Sequence, residues 1–101
     1  MLTVQAFPQG DAWVCEVDID DESKTHHVVK VTREDIDRWG QGAAGRDAVE
    51  DLVRRSFEFL LEREPATSIL RTFDLSVIRR YFPEYDSRFK RQAPASGSAE
   101  E

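Results

Sequence analysis

The sequence predicts a small α+β domain in which a three-stranded antiparallel sheet packs on one long amphipathic helix. Two observations carry this prediction. Residues 2–32 contain three stretches in which apolar and polar side chains alternate, as they do in half-buried strands. Residues 47–64 instead carry apolar side chains at helical spacing. With 101 residues, 40% of them hydrophobic and 34% charged, the chain suits one folded domain over residues 1–90 and is too charged to span a membrane.

The three predicted strands follow one another along the chain. Residues 2–7 alternate loosely and lead into residues 8–11, whose Pro, Gly and Asp are typical of a turn. In residues 12–19 the odd positions are apolar from 13 onward, and acidic side chains stand between them. Residues 25–32 resume the pattern and are rich in β-branched side chains. Because each connection is short, we expect an antiparallel meander.

The main helix is predicted to follow a short helical turn. Thr32 and Asp35 have the spacing of a capping hydroxyl and an acid three residues later, which predicts a helix start. The glycine-rich stretch 40–45 is predicted to be a flexible connector. Asp47 is then predicted to be the N-cap of the main helix, with Glu50 completing a capping box. The apolar stripe of that helix is predicted to comprise Val49, Leu52, Val53, Phe57, Leu60 and Leu61.

Two short helices are predicted after the main one, over residues 68–73 and 75–82. Tyr81 and Phe82 fall on the apolar stripe of the second helix, so we expect both in the core. Residues 91–101 are small, polar and acidic, which predicts a disordered tail.

No group of residues has the pattern of a catalytic or metal site. His26 and His27 are adjacent on a strand, so they point to opposite faces and do not chelate one metal ion. Cys15 lies mid-strand among apolar residues, which indicates a buried thiol with a raised pKa. The acidic stretch 18–22 lacks the ligand spacing of a calcium loop, and the stretch 40–45 lacks the lysine of a phosphate-binding loop. We therefore expect no enzyme activity, no cofactor and no metal, and an enzyme using either histidine is only a third hypothesis.

The charge distribution suggests where a partner binds. The net charge is −6, which disfavours non-specific binding to nucleic acid or anionic lipid. Residues 71–91 are the exception, because arginines and lysine alternate there with aromatic side chains. Their arginines either bind a partner or pair with the acidic body of the chain. The predicted interaction surface consists of Arg79, Arg80, Tyr85, Arg88 and Phe89.

These features favour a small non-enzymatic protein-binding or regulatory module, with an unknown protein partner. The alternative is RNA or single-stranded DNA binding through residues 71–91, whose basic and aromatic composition is typical of such surfaces. The sequence leaves the oligomeric state open.

Part of the chain resembles a known family. Residues 56–65 (SFEFLLEREP), followed by Ile69-Leu70, residues 73–78 and residues 80–85, resemble a family of small bacterial proteins with no assigned activity. The resemblance covers residues 25–86 and implies a bacterial cytoplasmic protein. A lone cysteine, which forms no internal disulfide, fits a reducing compartment. The order of strands and helix is also similar to that of HicB-type antitoxins, although their glycine and proline signature is absent here, and element order alone implies no function.

Overall fold

The computed structural model describes residues 1–20, 24–39 and 45–89. These residues form an α+β fold in which helices cover one face of a four-stranded sheet. In chain order the elements are β1 (Leu2–Gln9), β2 (Ala12–Asp20), β3 (Lys24–Val31), α1 (Arg33–Trp39), α2 (Arg46–Leu61), a 3-10 turn (Ala66–Ser68), β4 (Thr72–Asp74), α3 (Val77–Tyr81) and α4 (Glu84–Phe89). The predicted tail over residues 91–101 lies outside the described residues.

The sheet is mixed, with strand order β1-β2-β3-β4. The antiparallel pairing of β1 with β2 and of β2 with β3 confirms the predicted meander. The fourth strand was not predicted: β4 lies parallel to β3, in the segment for which a helix over 68–73 was expected. Backbone hydrogen bonds to β3 hold it, since the Val28 N–H donates to the Arg71 carbonyl at 2.6 Å and the Leu75 N–H donates to the Lys30 carbonyl at 2.9 Å. A prediction of three antiparallel strands alone is therefore wrong.

The first hairpin is tighter than the sequence predicts. β1 continues through Pro8 to Gln9, which pairs with Ala12, so the turn consists of Gly10 and Asp11 alone. Gly10 has a φ of +62°, a conformation that favours glycine. Pro8 is tolerated because β1 is an edge strand.

The start of α1 confirms the predicted capping pair. The Asp35 N–H donates to the Thr32 hydroxyl at 3.1 Å, and the Thr32 N–H donates to the Asp35 carboxylate at 3.0 Å. The start of α2 differs from the prediction, because Gly45 is the N-cap residue and Asp47 lies within the first turn. No side chain of the described residues caps this helix. The carboxylate of Glu50 instead accepts a hydrogen bond from the Ala6 N–H at 2.9 Å.

One hydrophobic core lies between the sheet and the helices. From α2 the core includes the predicted side chains except Leu61, which is exposed, because the helix ends at that residue. It also includes Phe59, which was not predicted to be buried and which is covered by two aromatic rings of α4 and one of the link between α3 and α4. The other face of the sheet carries exposed or half-exposed side chains, among them Phe7 and His26.

Candidate protein-interaction surface

Cys15 lies fully buried in the core on β2. Burial, and to a smaller extent the nearby Glu50 carboxylate, raises the pKa of its thiol to about 12. The thiol is therefore protonated and inaccessible at neutral pH, so it does not act as a nucleophile in the folded protein.

The two histidines lie on opposite faces of β3, as expected. His26 is exposed, with its Nδ1 atom 2.7 Å from a carboxylate oxygen of Asp18. His27 is 1% exposed, and its Nδ1 atom lies 2.7 Å from the Leu70 carbonyl oxygen while Nε2 lies 3.0 Å from the Thr25 hydroxyl. Because a carbonyl only accepts hydrogen bonds, Nδ1 is the protonated nitrogen. His27 therefore fixes the chain just before β4.

The described residues contain no group of three or more His, Cys, Asp and Glu side chains placed to hold a metal ion. Residues 21–23 of the acidic stretch and residues 40–44 of the glycine-rich stretch lie outside the described residues. Nowhere in the described ranges is a helix both long enough and apolar enough to cross a membrane.

Two members of the predicted interaction surface lie in the core. Tyr85 is 0% exposed and Phe89 is 5% exposed. Both are on α4, where the i, i+4 spacing places their rings in a stacked pair with centroids 4.5 Å apart. Phe59 packs edge-on against both rings. These aromatic side chains attach α4 to α2 and are not available to a partner.

The Tyr85 hydroxyl also has a partner inside the core. The Ser56 hydroxyl donates to the Leu52 carbonyl at 2.7 Å. The Tyr85 hydroxyl therefore donates its own proton to the Ser56 Oγ atom, also at 2.7 Å. Burial raises the pKa of Tyr85 well above its ordinary value.

Ion pairs within the chain hold α4 from outside. Arg88, a third member of the predicted surface, donates to Glu62 at 3.2 Å, and Arg63 donates to Glu84 at 3.1 Å. The Asp86 carboxylate accepts a hydrogen bond from the Arg38 guanidinium at 2.7 Å and another from the Trp39 Nε1–H at 3.0 Å. These two hydrogen bonds lower the pKa of Asp86 to about 2, and the bond from Arg38 has the larger effect. The alternative that arginines pair with the acidic body therefore holds for Arg88.

The hydrophobic side chains that are exposed near α3 and α4 are not those predicted for the interaction surface. Tyr81, which was expected in the core, is 67% exposed, and Leu70 is 49% exposed. The reason is that α3 is only five residues long and buries Ile78 alone. Leu70 and Tyr81 line one apolar depression of about 220 Å³. The other residues around it are Leu60, Glu64, Ser68, Ile69, Phe73, Val77, Ile78 and Phe82.

The remaining arginines of the predicted surface do not line this depression. Arg80 lines a neighbouring one that shares Leu70 and Tyr81 with it, and Arg79 lines another beside α1. Arg80 is exposed and forms no ion pair with any described residue, and the same holds for Arg71. Arg79 is half-buried and near enough to Asp86 to help lower the pKa of that carboxyl. The other two cations of the basic segment, at positions 90 and 91, are outside the described ranges. The structure thus leaves a small apolar surface, with Arg80, which has no ion pair to a described residue, in the adjoining depression.

Comparison of the chain with protein-family models, with curated proteins and with solved structures gives no significant match.

The sequence contains a signal for the burial of Tyr85 and Phe89, but none for the exposure of Leu70 and Tyr81. Pro83 followed by two acids, with aromatic residues at positions 85 and 89, has the pattern of a helix start and an i, i+4 buried pair. This pattern indicates that Tyr85 and Phe89 are core residues of a separate helix. No comparable signal marks Leu70 and Tyr81, because their exposure follows from the placement of β4 and α3.

Proposed function

We propose that this protein is a non-enzymatic protein-binding module whose binding surface is the apolar depression between Leu70 and Tyr81. A single observation supports the proposal most strongly: two large hydrophobic side chains that are about half exposed or more line the same depression. Exposed apolar side chains that cluster in this way are typical of protein-binding surfaces.

The flanking charges support the same interpretation. Aromatic residues and arginines are the side chains most enriched in the energetically important parts of protein interfaces. Tyr81 provides the aromatic ring here, and Arg71 and Arg80 provide guanidinium groups that no carboxylate of the described residues neutralises. A partner that offers an apolar anchor and an acidic group would satisfy both.

The test is a pull-down from a lysate of the source cells with the immobilised protein, with and without nuclease. We expect a stoichiometric protein that survives nuclease and is lost with the double variant Leu70→Ser, Tyr81→Ser. The matched control is Leu61→Ser, which removes another exposed leucine outside the depression and should retain the partner. Equal retention by the double variant and the control would refute the proposed surface.

The nuclease arm tests the alternative function. Exposed Tyr81 beside Arg79 and Arg80 is also the kind of arrangement on which a single-stranded nucleic acid stacks. If nucleic acid elutes, disappears with nuclease, and is lost with Arg79→Glu plus Arg80→Glu, the alternative is correct and the protein-binding proposal is wrong.

A further inference from the structure

We infer that the partner segment binds as an added β-strand along the outer edge of β4, and that it alternates apolar and acidic side chains. The inference rests on the proposed function and specifies the class of ligand: an extended acidic peptide segment of a protein. Three features of the structure carry it, namely the hydrogen-bonding groups at the edge of β4, the state of the opposite edge of the sheet, and the two depressions beside β4.

The first feature is a set of outward-pointing backbone groups. In a parallel pair, alternate residues of a strand turn both their N–H and C=O groups toward the neighbour. In β4 the residues bonded to β3 are the odd ones, as shown by the hydrogen bonds at Arg71 and Leu75. The N–H groups of Thr72 and Asp74 and the Thr72 carbonyl therefore point away from β3. None of them has a hydrogen bond to a described residue, and both residues are exposed.

The second feature is that the fold blocks two of the four outward positions of the opposite edge strand, Ala6 and Pro8. In β1 the even residues point their N–H groups outward, because Gln9 and Ala12 close the hairpin as a bonded pair. The outward Ala6 N–H donates to the Glu50 carboxylate, and the next outward position is Pro8, which has no N–H. Blocking by charged groups and proline is how proteins prevent unwanted strand pairing. In β4 no proline is present, and no described side chain accepts a hydrogen bond from the outward N–H groups, although the exposed Asp74 is itself charged.

The third feature is that two depressions meet at the edge of β4, one on each side of the sheet. The apolar depression lies on the core side. A second, of about 550 Å³, is lined on the open side by Lys30, Thr72, Asp74 and Arg80. Leu70, Phe73, Val77 and Tyr81 line both, which places them at the edge itself. An added strand sends successive side chains to opposite faces, so its residues alternately enter the two depressions.

The charges beside the edge of β4 indicate which polar side chains the bound peptide carries. On the open side Lys30 and Arg80 outnumber Asp74. On the core side Glu64 is the only charged residue in the lining, and the other residues apart from Ser68 are hydrophobic. Acidic side chains on the open side and apolar ones on the core side fit these linings, and strand addition of this kind is a common mode of peptide recognition.

The first experiment is a selection of short random peptides, displayed on phage, against the immobilised full-length protein. We expect the enriched sequences to alternate apolar and acidic residues. Enrichment of basic sequences, enrichment of apolar residues at helical spacing, or no enrichment would each overturn the inference.

The second experiment measures a selected peptide by fluorescence anisotropy against two variants of one residue. Thr72→Pro removes an outward N–H without removing a bond to β3, and Thr72→Val, the control, keeps that N–H. We expect Thr72→Pro to weaken binding about tenfold and Thr72→Val to leave it unchanged. Bound peptide should also slow amide hydrogen exchange at Thr72 and Asp74.

The variants separate failure of this inference from failure of the proposed function. If Thr72→Pro binds as well as Thr72→Val while Leu70→Ser weakens binding, strand addition is wrong and the protein-binding surface stands. If Leu70→Ser also leaves binding unchanged, both are wrong. A second copy of this chain as the occupant would appear as a dimer in sedimentation that Thr72→Pro dissociates, and that result would also overturn the inference of an acidic peptide.

Discussion

The buried hydroxyl pair of Ser56 and Tyr85 provides a direct test of whether Tyr85 is a core residue. Tyr85→Phe removes one donor and leaves the Ser56 oxygen with one acceptor position unfilled, which should cost about 1 kcal/mol of unfolding free energy. Ser56→Ala leaves the buried Tyr85 hydroxyl without its acceptor, which should cost about 2 kcal/mol. The double variant leaves neither hydroxyl, so it should cost less than the sum by about 1 kcal/mol.

The assay is urea unfolding of the wild type and the three variants, followed by tryptophan fluorescence. Trp39 is a suitable reporter because its ring packs edge-on against Tyr85 with centroids 5.2 Å apart. Equal slopes of free energy against urea would show that the comparison is valid. Additive costs would refute the hydrogen-bonded pair. A Tyr85→Phe variant of unchanged stability that no longer binds the partner would instead return Tyr85 to the interaction surface.

Three further predictions concern single groups. The pKa of Asp86, about 2, lies below its unfolded value. Above pH 4 Asp86 should therefore contribute about 1 kcal/mol to the free energy of unfolding, and this contribution should be lost as the pH falls toward 2. Acid titrations of stability should show no such loss in Asp86→Asn. Cys15 should react with a thiol reagent at neutral pH only in urea, and rapid labelling without urea would contradict its burial. His27→Phe should lose the bond to the Leu70 carbonyl, destabilise the fold by about 1–2 kcal/mol and accelerate amide exchange in β4, whereas unchanged exchange would show that this bond does not hold the strand.

The elements that the sequence predicts correctly are those set by local periodicity. Alternation marks β1 to β3, although only loosely in β1, and the stripe of α2 repeats over four turns. Thr32 and Asp35 form their predicted pair because both partners lie within one turn of chain. By contrast, β4 has only three residues, too few to show a period, and only its bonds to β3 make it a strand.

Tyr85, predicted for the interaction surface, is buried, whereas Tyr81, predicted for the core, is exposed. Tyr81 and Tyr85 are four residues apart, and in one continuous helix both would lie on the same face. The chain instead ends α3 at Tyr81 and begins α4 at Glu84, after Pro83. The two rings therefore belong to different helices, and only the second packs on Phe59. Arg80, near Tyr81, remains exposed, whereas Arg88, near Tyr85, pairs with Glu62.

Glu50 shows why the open edge of β4 is informative. By sequence it has the spacing of a capping residue, yet its carboxylate binds the N–H of Ala6, 44 residues away. That contact costs the helix a side-chain cap and protects the β1 edge, where Pro8 occupies the next outward position. Ala6 and Pro8 are thus closed to a pairing strand, whereas the outward N–H groups of Thr72 and Asp74 have no partner among the described residues and lie beside an apolar depression. Glu50→Ala should therefore make β1 a second pairing edge and promote concentration-dependent self-association, whereas a variant that stays monomeric at all concentrations would show that this contact is not protective.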